Sequence, residues 1–208
     1  LMALNDMKEV LNADSLPNFE LINTWFKSTT GWEIYCVPGL IPVDTFFTLL
    51  SEKKFPSSCW LRSMDKLDYL EEPDMFHDIF GHVPLLSNPI FSNFIHSFGK
   101  LGKMSINNEE KLLMLQRLYW FTIEFGLIKE NEVKIFGAGI TSSFGESISS
   151  LQHETLKRIF HLDEVLNTTF ITTEIQSFYF VIESFDELFD SILQLSLKWK
   201  NYELVDSK

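Results

Sequence analysis

The 208-residue chain is 45% apolar and 22% charged, a composition that supports a packed core and excludes general disorder. Its formal net charge of −12 argues against nucleic acid or an anionic membrane as partner, since both require concentrated Lys and Arg. Small molecules or proteins remain. No run reaches the roughly 18 apolar residues of a membrane helix and no basic-then-apolar leader opens the chain, so a soluble cytoplasmic protein is expected. Cys36 and Cys59 form no C-x-x-C pair or disulfide framework and are expected as small buried hydrophobes in a reducing compartment. The first residue is Leu1 rather than methionine, so N-terminal residues are expected to be missing.

In chain order, 1–35 carries two short helical patterns broken near Ser15-Leu16-Pro17 and ended by Thr29-Thr30-Gly31. Trp32 to Val37 alternates like a strand and runs into a turn, Pro38-Gly39-Leu40-Ile41-Pro42, whose preset backbone suits a pocket wall. Asp44 reads as the N-cap of a helix that holds Phe46, Phe47, Leu49 and Leu50 and stops near Lys53-Lys54-Phe55-Pro56. After a short extended piece, Arg62 offers a guanidinium fork suited to a small carboxylate. Leu85 to Gly99 has helical spacing, with His96 more plausible as a packed histidine than as a ligand. Glu109 to Ile128 is the longest helical run, apolar all round at its end. Val133 to Phe136 reads as a strand, and Ser143 with Glu146 as a capping box. The lone G-x-G at Gly137-Ala138-Gly139 is weak as a nucleotide signal. Thr168 to Thr173 is strand-like, and Ser184-x-x-Glu187 caps a final amphipathic helix. The expectation is one mainly α domain with minor β elements, spanning 1–208.

Chemistry concentrates in Pro73-Asp74-Met75-Phe76-His77-Asp78-Ile79-Phe80-Gly81-His82-Val83-Pro84. Two imidazoles with one carboxylate is the set that holds a divalent metal and leaves open positions for non-haem Fe(II) chemistry. Residues five apart diverge on an α-helix, so the helix is expected to end between His77 and His82, at Gly81. Glu124, inside Trp120-Phe121-Thr122-Ile123-Glu124-Phe125-Gly126-Leu127, needs a cation or metal to offset its desolvation and is the internal candidate for a third ligand. The rival H-x-D dyad His161-Leu162-Asp163 has no later histidine to complete it, and there is no H-E-x-x-H of a zinc hydrolase.

PDMFHDIFGHVPLL, LYWFTIEFGL and IFGAGITSSFGES resemble the three successive signature segments of the pterin-dependent aromatic amino acid hydroxylases. The H-D-x-F-G-H form and the preceding Leu67-Asp68-Tyr69-Leu70 are similar to the bacterial enzymes that act on phenylalanine. The resemblance covers roughly Gly31 to Phe189 and implies the catalytic fold of that family, begun later than usual, so that N-terminal helices and a lid are expected to be absent. By position it implies that His77, His82 and Glu124 are the Fe(II) ligands and catalytic centre. Arg62, assisted by Ser142, would bind the amino-acid carboxylate, while Pro73, Trp120 and Gly139 would line the ring pocket. A tetrahydropterin would stack on Phe46 beside Gly39 to Ile41 and reach Asp78, with Tyr119 nearby. Leu70 stands where animal phenylalanine hydroxylases have a threonine, and Thr172 where tyrosine-specific members have an acidic residue, which favours phenylalanine. The implied reaction is hydroxylation of L-phenylalanine to L-tyrosine with O2 by a monomer. Tryptophan hydroxylation, or a non-catalytic metal-binding fragment acting through partners, are the alternatives.

Overall fold

The computed structural model describes residues 5–12, 15–66 and 72–199; the Leu67-Asp68-Tyr69-Leu70 stretch lies outside them. Helices dominate and two small sheets flank them, as a mainly α chain requires. No helix among the described residues is long and apolar enough to cross a membrane.

Helix α1 (Phe19–Lys27) starts because the Asn18 side chain accepts from the Glu20 and Leu21 amides, and it buries Ile22 and Phe26. Strand β1 (Glu33–Val37) leads through helix α2 (Val43–Ser51) to strand β2 (Lys54–Ser58), which pairs with β1 in parallel, Ile34 opposite Phe55 and Tyr35 opposite Pro56. Asp44 is not the N-cap expected: Pro42 takes that place, and Asp44 sits in the first turn, where its charge still favours the helix N-terminus. Strand β2 escapes a local reading because Pro56 argues against a strand. A two-stranded sheet leaves each outer edge unpaired, so the missing N–H costs nothing there.

The parallel pairing also overturns the expectation for the cysteines. Cys36 lies opposite Ser57, and Cys59 follows the end of β2; both are exposed and they are joined as a disulfide, with Cα atoms 6.5 Å apart. Contact between residues 23 apart in sequence depends on the crossover, which spacing alone does not reveal.

Helix α3 (Pro89–Met104), capped by Asn88, presses against α2 on one side and against helix α8 (Phe185–Lys198) on another. Phe91, Phe94 and Phe98 point into the main core with Phe47, Phe121 and Phe180. Helix α4 (Glu109–Tyr119) ends earlier than the sequence suggests, because Trp120–Glu124 widens into a π turn and the chain leaves as strand β3 (Leu127–Lys129). Strand β4 (Val133–Ile135), helices α5 (Ala138–Thr141) and α6 (Phe144–Leu151), strand β5 (Leu156–Ile159), helix α7 (Leu162–Asn167) and strand β6 (Phe178–Ile182) complete the order. The second sheet runs β4-β3-β6-β5, with only the β3–β4 pair antiparallel. Thr168 to Thr173, read as strand-like, forms no strand: its β-branched residues find no ladder partner and the segment is irregular.

Gly99 and Gly102 set the distance between α2 and α3. A Cβ at Gly99 would lie 2.6 Å from the Leu50 carbonyl carbon, and one at Gly102 would lie 2.0 Å from the Phe47 ring. Gly99→Ala gains about 1 kcal/mol in helix propensity yet collides with backbone that cannot swing aside. The variant is expected to be less stable by about 1–3 kcal/mol in urea unfolding.

Candidate active site

The first π turn (His77–His82) and the second (Trp120–Glu124) face one another, and each carries metal-type donors. In both, the amide five residues on closes the ring: Val83 N–H donates to the Asp78 carbonyl, and Phe125 N–H to the Trp120 carbonyl at 2.9 Å. An i→i+5 turn brings residues five apart onto one face. The helix therefore does not end between His77 and His82; it widens, and their Nε2 atoms lie 3.0 Å apart. Gly81 has another use: a Cβ there would meet the Ala138 Cβ at 2.9 Å, so its bareness lets the first π turn lie against α5.

Glu124 closes the cluster. Its Oε1 lies 3.1 Å from His82 Nε2 and its Oε2 3.5 Å from His77 Nε2, and one donor atom from each residue falls within 4.8 Å of the others. Burial works against ionising Glu124, but the imidazoles of His82 and His77 outweigh it and hold the carboxyl well below the usual carboxylate range. The carboxyl is thus already a carboxylate, as a ligand must be. Ser142 sets the tautomer of His77. Its hydroxyl donates to the Ala138 carbonyl at 2.8 Å, so its oxygen must accept the proton on His77 Nδ1, also at 2.8 Å. In the neutral ring the Nε2 lone pair then faces the cluster, the arrangement that outer hydrogen bonds impose on metal-binding histidines. The donor types and the fixed tautomer fit a divalent transition metal.

Arg62 is anchored beside this cluster. Its Nε and Nη2 donate to the two Asp74 oxygens at 3.0 and 2.7 Å, and its Nη1 donates to the Ser142 carbonyl at 2.7 Å. Asp74 also accepts the Arg62 and His77 amides, at 2.8 and 3.0 Å. Burial of Asp74 pushes its carboxyl up, but these bonds, chiefly those from the Arg62 side chain, carry it below its usual value. Both partners are almost wholly buried, so removing either leaves an uncompensated charge.

A cavity of about 240 Å³ opens on the cluster and is lined by Arg62, Pro73, His77, Trp120, Glu124, Phe125, Gly139 and Ser142, with Leu40 and Tyr119 at its side. All five residues expected to hold the substrate meet there. His82 lies behind them, 4% exposed. Of the positions expected for a pterin, Tyr119 lines the cavity, touches the Phe46 ring edge-on at 5.5 Å and lies 6.1 Å from the His82 ring, while Asp78 accepts the Ser58 amide at 2.8 Å. Burial pushes the Asp78 carboxyl up. Gly39 and Ile41 flank Leu40, the residue of the Pro38–Pro42 turn that reaches the cavity. A side chain at Gly39 would meet Glu72 Oε1 at 2.9 Å. Asp74 was not singled out as a site residue by sequence. A carboxylate three residues before a ligand was the available signal for Asp74, but nothing local pairs it with Arg62. His96, bonded to the Ser51 carbonyl at 3.1 Å, and His161, at the N-cap of α7, stand apart from the site.

Two imidazoles and one carboxylate around an open point define the class of mononuclear non-haem metal oxygenases. A family model described as biopterin-dependent aromatic amino acid hydroxylase matches residues 2–203, and the chain belongs to that family. It is 47% identical over 183 residues to a phenylalanine-4-hydroxylase of Chromobacterium violaceum, covering 87% of this chain and 61% of that protein. It is 37% identical over 180 residues to a tyrosine 3-monooxygenase of Canis lupus familiaris, covering 86% of this chain and 36% of that protein. A crystal structure of the Chromobacterium violaceum phenylalanine hydroxylase with bound iron(III) and 7,8-dihydrobiopterin superposes with a TM-score of 0.87 at 43% identity, covering 96% of this chain and 74% of that one. The chain thus spans about three fifths of the curated bacterial relative.

Ser142→Ala removes the group that fixes the His77 tautomer while leaving all three donors. Affinity for Co(II) or Fe(II), read by metal titration, is expected to fall about 10- to 100-fold. His82→Ala removes a donor outright and is expected to bind more weakly still.

Proposed function

We propose that this chain hydroxylates L-phenylalanine to L-tyrosine with O2, ferrous iron and a tetrahydropterin, acting as a monomeric catalytic domain, 1–208, in the cytoplasm. The observation that carries the reading is the convergence of the His77, His82 and Glu124 donors, His77 and Glu124 of them at the wall of a largely apolar cavity that also presents Arg62. His77, His82 and Glu124 would hold the iron, and Phe46, the Gly39–Ile41 turn, Asp78 and Tyr119 would hold the pterin. Together iron and reduced pterin supply the electrons that activate O2.

The protein's own part is positioning. Three of the five guanidinium N–H groups of Arg62 are engaged by Asp74 and Ser142, which fixes the plane of the fork and would leave the remainder for a ligand carboxylate. With the carboxylate fixed at one end, the side-chain ring would lie against Trp120, Phe125 and Pro73, in the same cavity that His77 and Glu124 line. Those apolar walls exclude water from the reacting centre. Phe46, edge-on to Tyr119, offers a flat face for a stacked heterocycle. Asp78, buried and next to His77 in the chain, would accept a hydrogen bond from a ring N–H of the pterin. Cys36 and Cys59, exposed as they are, would be open to reduction in a cytoplasm.

Purified protein supplied with phenylalanine, Fe(II), tetrahydropterin and O2 is expected to form tyrosine, detected by chromatography. His77→Ala and Glu124→Ala should fall to background, and no tyrosine from the unaltered protein rejects the reading. Arg62→Lys keeps the charge but loses the fork, and the KM for phenylalanine is expected to rise about tenfold with little change in the KM for pterin. Dominant formation of 5-hydroxytryptophan from tryptophan would instead assign the protein to the other substrate.

A further inference from the structure

Between Ile171 and Ser177 every residue is exposed except Gln176, which is 9% exposed. Its side chain is engaged at both ends. The amide nitrogen donates to the Ile171 and Glu174 carbonyls at 3.0 and 3.1 Å, closing the irregular segment on itself, and Oε1 accepts the indole N–H of Trp120 at 3.1 Å. Only a carboxamide offers two donors and an acceptor in one planar group. Its backbone is fixed as well: Gln176 N–H donates to Glu146 Oε1 at 2.9 Å, and the Tyr179 hydroxyl donates to Glu146 Oε2. Burial pushes both the Glu146 carboxyl and the Tyr179 hydroxyl up, so the phenol keeps the proton it donates.

Trp120 is the wall of the cavity that this network holds. Its indole stacks on Phe170 at 4.7 Å and 18° and leans on Phe125 at 4.5 Å and 38°. Those contacts restrain the ring plane but leave it free to slide or turn within that plane. The hydrogen bond to Gln176 removes this freedom. Glu146 belongs to α6, whose N-cap Ser143 also lines the cavity and directly follows Ser142, the partner of His77 and Arg62. The expected capping box is only half made: Ser143 Oγ accepts the Glu146 amide, while the Glu146 side chain turns away to Gln176 and Tyr179.

We propose that Gln176 is a positioning residue for the phenylalanine site, holding the Trp120 indole in the one orientation that fits the substrate ring and coupling it to the 171–175 segment. This rests on the phenylalanine reading above. The volume-matched variant Gln176→Met removes the acceptor. Calorimetric Kd and steady-state KM for phenylalanine are expected to rise about 3- to 10-fold, the equivalent of one lost hydrogen bond. Bound iron and the KM for pterin should not move. In a Trp120→Phe background, which has no indole N–H, the same substitution should change the phenylalanine Kd by less than about twofold.

Unchanged phenylalanine affinity in Gln176→Met, or an equal loss in both backgrounds, overturns the proposal, because Gln176 would then act only on its own segment. Should Gln176→Met not fold, the 15N-labelled indole of Trp120 in the unaltered protein, identified by its loss in Trp120→Phe, decides instead. A slowly exchanging N–H supports the proposal, and one that exchanges at the rate of an exposed indole overturns it. An unaltered protein that neither binds nor turns over phenylalanine rejects the substrate reading, whereas the indole exchange measurement still reports on the hydrogen bond by itself.

Discussion

The site depends on two helical turns that each carry one residue too many. A π turn forfeits regular α-helical hydrogen bonding and persists only where its surroundings over-determine it. Here the first is pressed against Ala138 at the bare Cα of Gly81, and the second is closed by the Phe125 amide and sealed by the aromatic core around Phe121. The gain is geometric. On regular helices His77 and His82 would diverge; on widened turns both Nε2 atoms and the Glu124 carboxylate face one point.

Once those donors converge, Ser142 joins the donor cluster to Arg62. Its hydroxyl orients His77 and its carbonyl receives Arg62, while Asp74 holds Arg62 and the His77 amide from the opposite flank. The orientations of the His77 ring and of the Arg62 fork are therefore set by one hydrogen-bonded unit. A substitution in any of the four disturbs both, so effects there will be strongly non-additive.

The third wall follows a different logic. Trp120 and Phe125 belong to the second π turn and the residue after it, so the turn that brings Glu124 inward also carries the aromatic surface of the cavity. Its far side is braced by Phe170 and Gln176, from a segment without regular structure. A tryptophan held on one side by the turn that carries Glu124 and on the other by an irregular segment is a natural place for the shape of the cavity to be adjusted without altering the donors.

By itself, the sequence determined which donors the fold would bring together and many of the elements that carry them. The two histidines, the carboxylate stranded in an apolar run, and the caps at Ser143 and Ser184 are legible because desolvation and orphaned amides act locally. Tertiary structure decided what no local rule reaches. It turned an expected helix end at Gly81 into a π turn, placed Pro56 in a strand, joined Cys36 to Cys59, and left Thr168 to Thr173 without a ladder. It also paired Arg62 with Asp74 and with Ser142, 80 residues away, and set Gln176 against Trp120 across 56 residues. The reason is common to all of these: a residue type states which partner it needs, but only the packed chain determines which partner it meets.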